Sequence, residues 1–474
     1  MKKGTSPMSA TDHGPPLDPT RVAGFLARSV DLDGSTSQEG IDGTLDDLAK
    51  LKLEPGDAVI VALSNSMRTV CTYLATLLLG LVPIAVSPRT PPARIRRLAD
   101  TLGARALLAA RPDPYRYGTT GSRPVGGAEA VLLGGTPTGG RAGDVPPYRA
   151  GQVLMSTSGT SGALSACLHR ADALLRNARR HAAAVGMTAD DVVLVNLPLY
   201  YSYAMVAQVL AAYVTGARIV VTGPPFTPAG YASAIAAHGI THSSITPELA
   251  RRLLAHGDLP QRAPRVMTVG GDQIHPAQVA RLLAARPDGE LYLTYGLTEA
   301  GPRVLTLAAH AEPAHRHASA GLPLPGVRTS LRPETGELLV ESDTVLERKI
   351  GGPAPERTLI APGRIATGDV FAIDEDGYHY FRGRRSDFAI VRGEKVHLGG
   401  LRQTVNAIPG VVRCTPRLAQ DPAGESVLEL EITVTDPRPD TEARLRSELD
   451  SLLMPAERPR AIRIAAADPE DFHK

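Results

Sequence analysis

Cysteine is scarce, neither sign of charge is in excess, and no apolar run is long enough to span a bilayer. Each shortage narrows what the chain does. Its 474 residues hold three cysteines, Cys71, Cys167 and Cys414. Their spacing makes neither a CxxC metal clamp nor a disulfide framework, so three separate thiols in a reducing cytoplasm are expected. Lys and Arg number 51 against 49 Asp and Glu, a net charge of +2. That balance offers no electrostatic footprint for nucleic acid. The most apolar stretch, VCTYLATLLLGLVPIAV at 70–86, is interrupted by Gly80 and Pro83. A span needs roughly 20 unbroken apolar residues, so this segment reads as a buried helix, a turn and a buried strand. The opening MKKGTSPMSATDHGPP carries lysines with no apolar segment behind them and reads as part of a flexible tail over 1–20. The expectation is a soluble cytoplasmic protein with no membrane or nucleic-acid partner.

What is present is length and alternation. A chain of 474 residues exceeds one ordinary core, and an apolar fraction of 43% with 21% charged residues is globular. From Asp57 onward short β-branched runs alternate with helical patterns: AVIVAL at 58–63, a helix over 67–79, VPIAVS at 82–87, a helix over 92–103, then ARALLAA at 104–110. Strands spaced by helices argue for an α/β domain with mainly parallel sheet. The segment 111–151 is rich in Gly and Pro, with only AVLLG strand-like, and reads as a long surface connection. Alternation then resumes to LYLTYG at 291–296. Beyond about 325 the text turns to short strands and hairpins, EDG before YHYF being a hairpin signal. The division expected is a tail over 1–20, a large N-terminal domain over 21–383 whose last part is β-rich, and a small α+β C-terminal domain over 384–474.

Directly after the strand at 153–156 comes STSGTSG, in which five hydroxyl side chains and two glycines fill positions 156–162. Such a loop can turn backbone N–H groups and hydroxyls toward a polyphosphate. No Lys follows Gly162, so it is not the GxxxxGK[ST] loop, and it lacks the spacing of GxSxG. Further on, LTYGLTEAG at 293–301 follows a strand and offers Tyr295, Thr298 and Glu299 within five residues. Magnesium is satisfied by one or two carboxylates plus phosphate oxygens, so a single Glu beside a nucleotide suffices. VGGDQI at 269–274 sets a glycine pair after a strand, fit for close approach of a flat ligand. In 365–387, Asp369 after Thr-Gly and Arg384 after Gly383 can grip ribose hydroxyls.

Together these residues resemble the superfamily of acyl-CoA synthetases, nonribosomal-peptide adenylation domains and luciferases. The superfamily's TSG[TS]TGxPKG is matched by Thr157-Ser158-Gly159-Thr160-Ser161-Gly162, with Ser161 standing for the second Thr. Its YGxTE is matched by Tyr295-Gly296-Leu297-Thr298-Glu299, its TGD by Thr367-Gly368-Asp369, and its GRxxD by Gly383, Arg384 and Asp387. The resemblance runs from about Val22 to the C-terminus. It implies a large N-terminal domain with a small mobile C-terminal lid, and Mg-ATP as co-substrate and cofactor. It also implies roles. Tyr295 lies on the adenine beside Gly296; Gly270, Gly271 and Asp272 line the base and acid pockets. Thr298 touches the α-phosphate and Glu299 holds Mg²⁺. Asp369 and Arg384 bind the ribose; Thr157, Ser158, Gly159, Thr160, Ser161 and Gly162 cradle the pyrophosphate. Attack of a carboxylate on the α-phosphorus needs positioning and charge neutralisation more than covalent help, which suits this residue set.

The chain also departs from the pattern. Pro-Lys-Gly of the loop is here Leu164-Ser165-Ala166, so the phosphate-facing Lys is absent. One charge-assisted contact is worth about 1.5–3 kcal/mol, one to two decades of affinity or rate. The superfamily's pocket His is replaced by Tyr201, and its lid Lys aligns with Ile390. Its late catalytic Lys has no clean counterpart other than Lys474 in the terminal DPEDFHK. Tyr200, Tyr201 and Tyr203 either line an aromatic-acid pocket or pack in a core. His310, His315 and His317 read as a solvated loop rather than a metal site.

The activity implied is adenylation of a small, aromatic or other, organic acid in specialised metabolism such as antibiotic biosynthesis, followed by transfer to an amine, a carrier-protein thiol or CoA. Two alternatives stand beside it: a degenerate member that binds nucleotide or acyl-adenylate without turnover, and activation of an unusual oxyacid such as nitrite.

Overall fold

The computed structural model describes residues 17–32, 40–134, 148–157, 165–223, 226–256, 259, 264–351, 358–385, 388–391, 394–420 and 426–468. Two eight-stranded sheets dominate. The first runs, in spatial order, Val30–Asp31, Arg218–Val221, Val192–Val195, His242–Ile245, Val266–Gly270, Glu290–Gly296, Arg303–Ala308 and Leu322–Pro323. It is parallel as far as Glu290–Gly296 and antiparallel beyond. The second runs Arg348–Gly351, Ser165–Arg170, Gln152–Ser156, Val82–Ala85, Ala58–Ala62, Ala104–Ala109, Ala128–Leu132 and Arg123–Val125. Its central strand Ala58–Ala62 is buried at every position, as a continuous β-branched run between two helical layers must be. The α/β class with mixed sheets expected from the alternation is therefore the architecture present.

The helix Met67–Leu78 begins where Ser66 accepts from Thr69 N–H at 3.3 Å, and it is buried along almost its whole length. It packs with Val59, Val153, Leu174 and Val206 in one core that joins elements of both sheets. A third, antiparallel sheet of five strands carries Val327–Leu331, Glu337–Ser342, Leu359–Ala361, Arg364–Ile373 and His379–Arg384. The C-terminal residues form the hairpin Phe388–Val391/Glu394–His397 and the sheet Val411–Gln420, Ser426–Val434, Ala461–Ala466. These enclose a separate core around Leu401, Val405, Leu430 and Leu445. Arg251 Nε donates to Val412 O at 2.7 Å and Gln278 Nε2 to Asn406 O at 3.1 Å, tying this part to the helices beside the first sheet.

Two local readings are corrected, at 111–151 and at His317, and one strand joins those expected. The segment 111–151 holds the hairpin Arg123–Val125/Ala128–Leu132, whose Val125, Ala130 and Val131 are buried, so it extends the second sheet rather than merely crossing the surface. The residues after the hydroxyl-rich loop form the strand Ser165–Arg170. His317 is buried, its Nε2 against the carbonyls of Ala309 and Glu312 at 3.1 Å, so it is no solvated loop residue. Among the described residues no disulfide joins the three buried cysteines, no cluster of His, Cys, Asp and Glu could hold a metal ion, and no helix is long and apolar enough to cross a membrane.

Candidate active site

The strands Gln152–Ser156 and Ser165–Arg170 pair antiparallel, Ser156 opposite Ala166 and Met155 opposite Cys167. They carry the hydroxyl-rich loop at their tip. At its base Thr157 Oγ1 and Ser165 Oγ lie 2.5 Å apart, and Thr157 N donates to Ser165 O at 3.2 Å. Ser158, Gly159, Thr160, Ser161 and Gly162 lie outside the described residues, as does Lys474. Side chains alternate along a strand, so Ser165, Cys167 and His169 share one face.

That face and the strand beside it meet the turn at 298–300, a single 3₁₀ turn, through one contact each. His169 Nε2–H donates to Thr298 O at 2.9 Å. On the outer side of the hairpin the strand Arg348–Gly351 sets Gly351 opposite Ser165 and Lys349 opposite Cys167. Lys349 Nζ there reaches Glu299 Oε1 at 2.8 Å, with the two side chains 19% and 14% exposed. From a third direction Ser202 Oγ lies 3.0 Å from Thr298 Oγ1, and Ser156 Oγ donates to Tyr200 O at 3.2 Å. The loop base, the 200–203 segment and the Thr298–Glu299 turn thus converge.

Electrostatics at this point follow from burial. Desolvation pushes His169 down to about 4, outweighing the Thr298 carbonyl and the Glu299 charge, so the ring is neutral near pH 7. Burial, then Glu299, hold the Cys167 thiol well above its ordinary value. Burial acts to lower Lys349, but the charge and hydrogen bond of Glu299 prevail and raise it, so it remains an ammonium.

A second cluster lies on the far side of Tyr295. Its hydroxyl donates to Asp369 Oδ2 at 2.7 Å, and its ring packs edge-on to Phe371 at 4.9 Å. Asp369 stands opposite Arg384 in the ladder, with Arg384 Nε 3.2 Å from Asp369 Oδ1. Gly270 ends its strand beside Thr294, and Gly296 lies against the carbonyl of Pro302; a Cβ at either would overlap these neighbours. Gly271 has φ +90°, and the exposed Asp272 carries a carboxylate oxygen 3.5 Å from Arg402 Nη2 in the C-terminal part. The rings of Tyr200 and Tyr201 lie 4.6 Å apart, tilted at 54° to one another, and are half-buried. Tyr203 is buried, its hydroxyl 2.8 Å from Thr268 Oγ1.

Residues 47–347 match the family described as AMP-binding enzyme. The chain belongs to that family. It is an adenylate-forming, AMP-forming ligase in line with its relatives, among them the 2-succinylbenzoate–CoA ligase of Bacillus pumilus, 26% identical over 74% of this chain and 72% of that protein. Its fold is that of the o-succinylbenzoate coenzyme A synthetase of Bacillus subtilis solved with ATP and magnesium ion, at TM-score 0.74, 20% identity and coverage of 94% and 95% of the two chains. It is equally that of the amide bond synthetase McbA of Marinactinospora thermotolerans, at TM-score 0.71, 21% identity and 94% of each chain.

The motifs of this AMP-binding enzyme do not include Lys349, His169 or Ser202. Lys349 becomes visible only through the strand register that sets it beside the loop hairpin.

Proposed function

We propose that this enzyme adenylates a small aromatic acid with Mg-ATP and then passes the acyl group to an amine, a carrier-protein thiol or CoA. A carboxylate oxygen of the acid attacks the α-phosphorus, the bond to the β-phosphate oxygen breaks, and pyrophosphate leaves with both electrons of that bond. Thr298, fixed by Ser202 and His169, is aimed at the α-phosphate. Glu299 and the Thr298 hydroxyl are hard oxygen donors, a set that fits magnesium with phosphate oxygens completing its shell. When bound, that ion supplies charge neutralisation on the triphosphate. Tyr295 and Gly296 flank the base, and Asp369 with Arg384 takes the ribose hydroxyls. Thr157 and the loop residues through Gly162 hold the departing pyrophosphate, and residues 384–474 act as the lid.

The phosphate-facing Lys of the loop is Ser165 here, and Lys349, two ladder pairs along the neighbouring strand, supplies the missing cation. The observation that carries the reading is the meeting of the Thr298–Glu299 turn with the base of the 157–165 loop through His169 and Lys349. An aromatic acid is favoured by the adjoining Tyr200 and Tyr201 rings and by the 2-succinylbenzoate named for a relative. A thiol of CoA or an amine as acceptor follows the names of the relatives and neighbours.

Acid-dependent exchange of labelled pyrophosphate into ATP, over a panel of small acids that includes nitrite, tests this. Exchange with at least one aromatic acid, lost in Glu299→Ala, is expected. Nucleotide binding without exchange for any acid would mark a degenerate binder and end the ligase reading.

A further inference from the structure

Arg303 opens the strand Arg303–Ala308 directly after the Thr298–Glu299 turn, and it is 2% exposed. Asn177 fixes its backbone from both sides, accepting from Arg303 N–H and donating to Arg303 O at 2.9 Å each. The guanidinium therefore has a set position. Its Cζ lies 4.3 Å over the Tyr203 ring and its Nη1 donates to Thr294 Oγ1 at 2.7 Å. A Cβ built on Gly270 would stand 3.2 Å from Nη1, and one on Gly296 2.8 Å from Nη2. The charge thus sits among Tyr203, Thr294, Gly270 and Gly296; the proposed function sets Gly296 beside the base, and the superfamily resemblance sets Gly270 at the base and acid pockets.

This charge lacks an anion. Among the described residues no Asp or Glu pairs with Arg303, and its Nε has no hydrogen-bond partner. The other buried arginines have carboxylate or carbonyl partners, although Arg252 and Arg286 also carry an unbonded Nε: Arg252 pairs with Glu248, Arg251 donates to a backbone carbonyl, and Arg286, which has no acidic partner among the described residues, donates to the carbonyls of Pro264 and Arg265. A guanidinium out of water needs oxygen partners for its fork, and one hydroxyl plus one aromatic face leave most of it unsatisfied. Glycine at 270 and 296 lets these strand ends lie close against the guanidinium, where a Cβ would collide with it or with Thr294 and Pro302.

We propose that Arg303 sets the specificity of the acid pocket, and that the acid activated here carries a second anionic group, a carboxylate or similar oxyanion, which pairs with this guanidinium. The inference rests on the ligase reading above and names its substrate class. The reacting carboxylate cannot be the partner, because it must lie at Thr298 to reach the α-phosphorus, and a carboxylate held by an arginine fork is a poor nucleophile.

The test is pyrophosphate exchange with matched pairs of acids, such as benzoate against isophthalate and phenylacetate against homophthalate, using wild-type enzyme, Arg303→Met and Arg303→Lys. Wild type is expected to favour the dianionic member of at least one pair by about 100-fold in kcat/KM, as a pocket built around a buried charge discriminates. Arg303→Met erases that preference, the dianionic member losing far more kcat/KM than the monoanionic one, and Arg303→Lys recovers part of it. A wild-type preference for the monoanionic members overturns the inference without any variant. An equal loss for both members in Arg303→Met also overturns it and makes Arg303 structural. Exchange with no acid at all removes the ligase reading, and this inference with it.

Discussion

Lys349 Nζ lies 2.8 Å from Glu299 Oε1, on a strand whose Gly351 stands opposite Ser165. Among the described residues the cation set against the Thr298–Glu299 turn thus comes from outside the loop motif, two ladder pairs from Ser165, where the superfamily pattern has Lys. If the ammonium answers phosphate charge, Lys349→Met lowers kcat/KM for ATP in pyrophosphate exchange by about 10- to 100-fold, the worth of one charge-assisted hydrogen bond. The KM of the acid changes little, and Lys349→Arg recovers part of the loss. Wild-type ATP kinetics in Lys349→Met would return the ion pair to a purely structural role.

His169 gives the fold a pH dependence with a definite sign. Its folded value, about 4, is below the ordinary 6.5 because the ring is buried, and His181 is pushed down to about 3 in the same way. The unfolded chain therefore binds these protons first, so the stability they contribute is full above pH 6.5 and is lost as pH falls toward 4. For His169 the loss amounts to about 3 kcal/mol over that window. Melting curves between pH 7.5 and 4.5 should show Tm falling with acidification, less steeply in His169→Gln whatever its Tm at neutral pH. Parallel wild-type and variant curves would contradict the assignment of a neutral buried ring.

The large domain was legible where periodicity was strong. Ala58–Ala62, Met67–Leu78 and Glu290–Gly296 lie within two residues of their expected bounds because a fully buried strand and a buried helix each need an unbroken apolar code. Arg123–Val125 escaped because three residues containing Pro124 carry almost no strand signal, although the Gly126-Gly127 turn between it and Ala128–Leu132 was there to be read. The site divided in the same way. Tyr295, Thr298, Glu299, Asp369 and Arg384 stand in local motifs. Lys349 and Arg303 reach the same region through ladder register and a strand entry, which are tertiary facts. The lysine missing at Ser165 was readable, and the neighbouring strand that brings a cation beside it was not.

Asp369 connects two of the motif residues, accepting from the Tyr295 hydroxyl while Arg384 flanks it at 3.2 Å. A carboxylate so oriented can accept from a ribose hydroxyl with its remaining lone pairs. Wild-type enzyme should then discriminate ATP from 2′-deoxy-ATP or 3′-deoxy-ATP by about 10-fold or more in KM, the worth of one hydrogen bond to a charged group. In Asp369→Ala that discrimination disappears as ATP weakens to the level of its deoxy analogue. An Asp369→Ala enzyme that still distinguishes them would place the ribose elsewhere.

Tyr201 stands where the superfamily pattern has His, its ring 4.6 Å from that of Tyr200 and tilted against it, and the Tyr200 carbonyl accepts from Ser156 at the base of the hydroxyl-rich loop. The ligase reading gives the space beside these two rings to the acid. Buried aromatic contact is worth about 0.5–1.5 kcal/mol beyond its area, so removing one ring should cost an aromatic acid roughly 10-fold in kcat/KM. ATP, held through Tyr295, Thr298 and Asp369, should keep its KM within about twofold, since sites without shared partners act independently. Exchange kinetics for Tyr201→Ala and Tyr201→Phe across aromatic and aliphatic acids measure both quantities. A shift in acid preference with ATP unchanged puts the Tyr201 ring against the acid, and equal losses for acid and ATP would remove it from that wall.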